Sequence, residues 1–307
     1  MEIVLDYILN NIISSYYDDK YPSPTSYKRT SACWYSARNR IIVSPMCMYS
    51  SEDSCITPED AGIWSDTHIP ALQQTTTLIK SQGSIPALQI GHAGRKASVY
   101  SPFHELPGLP LTKEFGGWPD QVVVPYTIAL SEDYTVSKEM AEQDMNWASI
   151  FADKAGVEVL EIHNAYGYLI HSFLSGNSNI RTDQYGGSLE NRMWFPLKII
   201  HCVRDTCPQH KPLWVQLNKI GVDVIDVSSS GNLEIADYFA GPLYQIPLCQ
   251  YIKKEANVTT SAVGVITEPK GVEEILQKDK ADYILLVREF SRDSGWVFRE
   301  ACTGAMA

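Results

Sequence analysis

The chain has 307 residues, 44% hydrophobic and 20% charged, a size that suits one barrel-sized domain or two smaller ones. Its net charge of −11 excludes a general binder of nucleic acid or anionic membrane, and no basic run exceeds pairs such as Lys28-Arg29 and Lys253-Lys254. Seven cysteines without a Cys-x-x-Cys pair fit neither a zinc site nor a disulfide framework, so reduced thiols in the cytoplasm are expected.

Met1 to Tyr17 carries Glu2 and Asp6 but no basic residue, so it reads as neither a signal nor a transit peptide. Ile3, Val4, Leu5, Ile8, Leu9, Ile12 and Ile13 recur at helical spacing and predict a short amphipathic helix. Residues 14–40 read as an irregular connector, and Ile41-Ile42-Val43 as a short strand stopped by Ser44-Pro45. His68 to Gln82 predicts a helix that Gly83 ends. A strand over 85–90 is followed by Gly91-His92-Ala93-Gly94-Arg95. Residues 101–131 are rich in proline and glycine and read as a long loop, and Lys138 to Ala155 as a helix closed by Gly156.

The second half repeats the rhythm. The strand 157–162 leads into His163-Asn164-Ala165-Tyr166-Gly167-Tyr168. Ser188 is placed as an N-cap, with Glu190 in the first turn, for a helix reaching about Val203. Strands follow at 213–217, 222–228, 258–263 and 282–287, with a helix over 271–277. Apolar strands alternating with helices mean a parallel α/β sheet. Only Asn218-Lys219-Ile220-Gly221 separates two of these strands, whereas a parallel crossover usually takes about a dozen residues. A hairpin is therefore expected there, or else one of the two strands lies outside the barrel. The count comes to seven strands where a closed (β/α)8 barrel has eight, and the second strand is the one missing.

His163, Tyr166 and Tyr168 gather an imidazole and two phenols at the C-terminal end of a strand, where an α/β barrel keeps its chemistry. Donors of this kind can hold a carbonyl oxygen and deliver a proton.

Four segments then carry a resemblance. They are Ser44-Pro45-Met46-Cys47-Met48-Tyr49, Gln89 through Lys96, His163 through Tyr168, and the string from Ser178 to Arg192 that includes Tyr185-Gly186-Gly187-Ser188. Ala262-Val263-Gly264 and Arg288 through Asp293 add to it. Together they resemble the old yellow enzyme family, nearest its cysteine-containing subclass, over roughly residues 37–300. The resemblance implies a (β/α)8 TIM barrel, here incomplete, with an atypical extension over 1–36 and an FMN-binding domain over 37–307. It implies an NAD(P)H-dependent ene-reductase that reduces the C=C bond of an α,β-unsaturated carbonyl compound. FMN is the implied cofactor, NADPH or NADH the hydride donor, an enone the small-molecule partner, and a homo-oligomer the implied assembly.

The same resemblance assigns roles. Ser44, Pro45 and Met46 would lie along the isoalloxazine, and Cys47 near flavin O4 and N5. Tyr49 would line the substrate pocket, and Gln89 would pair with the polar pyrimidine edge. His163 and Tyr166 would grip the carbonyl oxygen, and Tyr168 would protonate the α-carbon. Gln216, Gly264 and Arg288 would complete the flavin site. Three departures stand out: Tyr166 replaces histidine or asparagine, Gln216 replaces arginine, and Val287 replaces glycine. The alternative to an enzyme is a degenerate or truncated remnant without FMN. A third reading is a flavin-independent isomerase or hydratase built on His163 and the tyrosines.

Overall fold

A computed structural model describes residues 2–8, 30–32, 35–37, 39–45, 57, 63, 66–101, 103–126, 138–139, 153–208, 210–215, 222–229, 241–297 and 299. Strand β1 (Glu2–Ile8) comes first, then a small hairpin of β2 (Thr30–Ala32) and β3 (Tyr35–Ala37), and β4 (Ile41–Val43). Helix α1 (Ile69–Ser81) leads to β5 (Ile85–Gly91), and β6 (Val123–Val124) pairs with β7 (Lys138–Glu139). There follow β8 (Val159–Ile162), α2 (Leu169–Leu174), α3 (Leu189–Thr206), β9 (Leu213–Val215) and β10 (Val224–Val227). The chain continues through α4 (Ile246–Ala256), β11 (Thr259–Ala262), α5 (Pro269–Gln277), β12 (Tyr283–Leu286) and α6 (Arg288–Arg292).

Eight strands close a barrel in the order β1-β4-β12-β11-β10-β9-β8-β5. Seven of them, from β4 round to β5, run parallel, and each occupies a stretch the sequence marks as a strand. The eighth, β1, is antiparallel to both neighbours and fills the place of the missing second strand. Glu2–Ile8 is therefore a strand and not the expected amphipathic helix. Without it, β4 and β5 would each present an edge of unpaired N–H and C=O groups. Pairing from Glu2↔Gly91 to Ile8↔Ile85 satisfies that edge along all of β5, and the β-branched Ile3, Val4 and Ile8 suit an extended chain.

The short connection also resolves against expectation. Strands β9 and β10 are parallel neighbours, Trp214↔Val224 and Val215↔Ile225, and both belong to the barrel. The reason is strand length. A three-residue β9 is only about 10 Å tall. The connection over 216–223 can reach about 25 Å when extended, well beyond that height. Val222, just before β10, packs against both large apolar clusters.

The remaining elements follow their local signals. In α1 the buried residues Ile69, Leu72, Thr76 and Ile79 keep a three-to-four spacing, and Gly83 turns the chain at φ +69°. The Ser188 hydroxyl accepts the Asn191 N–H at 3.3 Å and caps α3. Lys138 and Glu139 are strand and not the start of a helix; residues 140–152 lie outside the described residues. Helices α2 and α4 carry no signal in the reading above.

The barrel interior is layered. Ile42, Ala87, Val159, Trp214, Val224, Tyr283 and Leu285 form an apolar cluster. Towards the C-terminal ends of the strands follow buried Gln89, Glu161, Asp226 and Ser261. Among the described residues no helix is long and apolar enough to cross a membrane.

Candidate active site

A cavity of about 420 Å³ opens at the C-terminal ends of the parallel strands. That volume falls within the roughly 300–1,000 Å³ of small-molecule sites. Its walls include Ser44 and Pro45 after β4, Gln89 on β5, His163, Tyr166 and Tyr168 after β8, Asp226 on β10, Gly264 after β11 and Arg288 on α6. The structure thus brings together eight of the expected site residues. Met46, Cys47, Tyr49 and Gln216 lie outside the described residues.

His163 is positioned by backbone. Its N–H donates to the Ile90 carbonyl at 2.8 Å, and a Cβ on Gly91 would meet the His163 Cβ at 3.0 Å. Glycine at 91 is what lets the imidazole lie against β5. The Tyr168 ring meets His163 edge-on, with centroids 4.9 Å apart. Tyr166 holds a left-handed backbone, φ +54°, which costs a non-glycine residue about 1–3 kcal/mol. Two contacts hold it there: Lys96 Nζ donates to its carbonyl at 2.6 Å, and its hydroxyl makes a short hydrogen bond with the Ser228 hydroxyl. Burial, with smaller contributions from Asp226, Tyr244 and Glu161, pushes the Tyr166 phenol up to about 12 despite the Ser228 bond, so it stays protonated.

Lys96, a motif residue with no role expected from the sequence, touches both tyrosines. Its ammonium lies 5.7 Å from the Tyr168 ring centroid. Burial, then the neighbouring Arg95, brings its pKa down to about 8. Gly94 makes this possible: at φ +60° any Cβ would meet the Leu169 backbone at 2.8 Å, so only glycine lets the loop after β5 touch the start of α2. Two histidines brace the same loops as neutral acceptors. His92 Nδ1 accepts the Gly94 N–H at 2.9 Å, and His171 Nδ1 accepts the Gly167 N–H at 3.1 Å.

Asp226 and Glu161 also escaped the sequence reading. Their signal was available, since each is a carboxylate inside an apolar strand run. Gln89 Nε2 donates to Glu161 Oε1 at 3.0 Å, and Ser261 Oγ donates to Asp226 Oδ1 at 3.0 Å. Burial and the Asp226 carboxylate hold Glu161 well above the usual carboxylate range.

The string from Ser178 to Arg192 serves structure. Asn179 Nδ2 donates to the Phe173 and Tyr185 carbonyls, each at 2.7 Å, and Arg192 Nε to the Leu174 carbonyl at 2.6 Å. These bonds fasten α2 to α3 and so hold Tyr168, which precedes α2.

The wall at the ends of β11 and β12 suits a phosphate. Gly264, at φ +116°, and Val265, at φ +53°, turn the backbone sharply out of β11. The second is an outlier for a β-branched residue, a strain typical of ligand clamps. Arg288 shares that wall and supplies a cation. Val287 also lines it, where a glycine would leave more room.

The chain is similar to known flavin oxidoreductases. The model of the family described as NADH:flavin oxidoreductase / NADH oxidase matches residues 26–223. The NADPH dehydrogenase of Bacillus subtilis (strain 168) is 36% identical over 319 residues, covering 83% of this chain and 88% of that one. A NADH:flavin oxidoreductase of Gibberella zeae is 34% identical over 336 residues, covering 84% and 81%. Among solved structures, morphinone reductase superposes with a TM-score of 0.66 at 19% identity, over 88% of this chain and 87% of that one. 2-Naphthoyl-CoA reductase gives 0.74 at 19% identity, over 91% of this chain and 52% of that one. At such identities the two structures speak for the fold.

Proposed function

The chain belongs to the NADH:flavin oxidoreductase / NADH oxidase family, and we propose that it is an FMN-dependent ene-reductase acting on α,β-unsaturated carbonyl compounds with NADPH or NADH. The observation that carries this reading is the convergence of His163, Tyr168 and Gln89 on one cavity at the C-terminal face of the barrel.

The residues present fit FMN. Gln89 offers an amide to a pyrimidine edge, Ser44 and Pro45 line a wall beside it, and the turned backbone at Gly264 with Arg288 suits the phosphate. Met46, Cys47 and Gln216 complete this assignment by position in the chain. When bound, FMN supplies hydride transfer from the nicotinamide to the β-carbon.

The protein's own part is orientation and proton delivery. His163 donates to the substrate carbonyl oxygen. Tyr166 is the second donor: when the Ser228 hydroxyl donates to the Tyr166 oxygen, the phenol proton is left for the substrate. One such donor is worth roughly 3 kcal/mol where negative charge develops. Tyr168 delivers the proton to the α-carbon, and the Lys96 cation beside its ring favours loss of that proton. Tyr49 is assigned to the substrate side of the pocket.

The competing reading is a barrel that no longer holds FMN, and Val287 on the phosphate wall is the observation in its favour. One experiment separates the two. Purified protein reconstituted with FMN retains flavin absorbance after gel filtration and oxidises NADPH in the presence of cyclohexenone. Loss of the flavin on the column, or no enone-dependent oxidation, overturns the enzyme.

A further inference from the structure

A glutamine amide has two orientations that differ by a flip, and only one suits a given ligand edge. In this barrel the choice is made from behind. Gln89 and Glu161 are register partners on the neighbouring strands β5 and β8, and both side chains are buried inside the barrel. Gln89 reaches the cavity wall, and its Nε2 donates back to Glu161 Oε1 at 3.0 Å. Glu161 is 2% exposed, so it cannot swing away into water.

We propose that Glu161 is a positioning residue, which fixes the Gln89 amide so that its oxygen and its remaining N–H face the cavity as an acceptor–donor pair. Such a pair matches an imide edge, in which a ring N–H stands beside a carbonyl, and rejects a ring whose nitrogen is alkylated. The inference rests on the FMN reading for the identity of that ring.

The charge state of Glu161 follows from its surroundings. The titratable groups that act on it or feel it are Asp226 on β10 and the Tyr166 phenol; its register partners Gln89 on β5 and Trp214 on β9 are neutral. Burial and the Asp226 carboxylate hold Glu161 well above the usual carboxylate range, and its Oε1 accepts from Gln89. Glutamine is isosteric with glutamic acid and keeps an acceptor oxygen.

The test uses apo-protein titrated with FMN and with N3-methyl FMN, followed by quenching of flavin fluorescence. Wild type is expected to prefer FMN about tenfold, the worth of one hydrogen bond to a buried partner. Glu161→Leu and Gln89→Leu should each bring that preference close to one, and Glu161→Gln should keep it. An undiminished preference in Glu161→Leu overturns the proposal. A second readout needs no flavin. In apo-protein labelled with ¹⁵N-glutamine, the Gln89 side-chain amide signals, identified by their loss in Gln89→Leu, should be widely split and should move to free-amide positions in Glu161→Leu. Unmoved signals overturn the role of Glu161. Should neither flavin bind wild type while those signals do move, the positioning role stands and the FMN reading falls.

Discussion

The Tyr166 hydroxyl and the Ser228 hydroxyl share a hydrogen bond that ties the loop after β8 to the end of β10. Either hydroxyl can donate in it. The enone reading takes Ser228 as the donor, and on that reading Ser228→Ala is expected to lower kcat/KM for an enone about tenfold. Tyr166→His should recover or exceed wild-type turnover, because histidine tolerates the left-handed backbone better. Steady-state kinetics with cyclohexenone checks both, and an unchanged kcat/KM in Ser228→Ala counts against the arrangement.

Tyr168 and Lys96 give a prediction with a pH signature. Tyr168→Phe should slow enone reduction by roughly 10²–10⁴ and leave NADPH-driven flavin reduction unaltered. Wild-type activity should decline as pH rises through about 8, where Lys96 loses its charge. Lys96→Met should be slower at neutral pH and should lack that limb. Stopped-flow traces of the two half-reactions across pH 6–10 separate these effects.

Acid stability turns on His171. Burial, then Arg95 and Lys96, brings its pKa to about 4 from the ordinary 6.5. Between those values the unfolded chain binds more protons than the folded one. Stability is therefore complete above about pH 6.5 and is lost as pH falls towards 4, by about 2 kcal/mol after allowance for partial exposure. Urea midpoints at pH 7 and pH 5 should differ accordingly, and His171→Gln should narrow the gap. Buried His92 adds to the loss in the same direction.

The closing strand is open to a direct test. Val4 pairs with Gln89 in the β1–β5 ladder. Val4→Pro removes a backbone donor from that ladder, and deletion of residues 1–8 leaves two bare edges. A lowered melting temperature is expected for the first and aggregation on size-exclusion chromatography for the second. A deletion variant that stays monodisperse with an unaltered melt would show that β4 and β5 need no partner.

Much of this fold was legible in the chain. Most of the seven parallel strands are apolar runs between turn residues, β11 with its Thr-Thr-Ser being the exception, and turn chemistry such as Ser188 before α3 marked a helix start. What escaped depends on partners distant in sequence. Glu2–Ile8 has helical spacing, and only the vacant place between β4 and β5 selects the extended form. The connection after β9 looked too short because strand height, which sets the return distance, is invisible in a hydrophobic run. In the site, His163 and Tyr168 were legible as residue types at a strand end. Ser228 and Lys96 were not, since each matters through what it touches, while Glu161 stood out only as a carboxylate within an apolar run.

The antiparallel β1 separates two duties that a barrel strand normally performs together. Hydrogen-bond closure is indifferent to chain direction, so a reversed stave seals the wall as well as a forward one. Delivery of a loop to the reactive rim is not indifferent: a forward stave brings its trailing end there, and β1 brings Glu2, beside Gly91. Among the described residues, the cavity at that rim is lined by the seven forward staves and the segments that follow them.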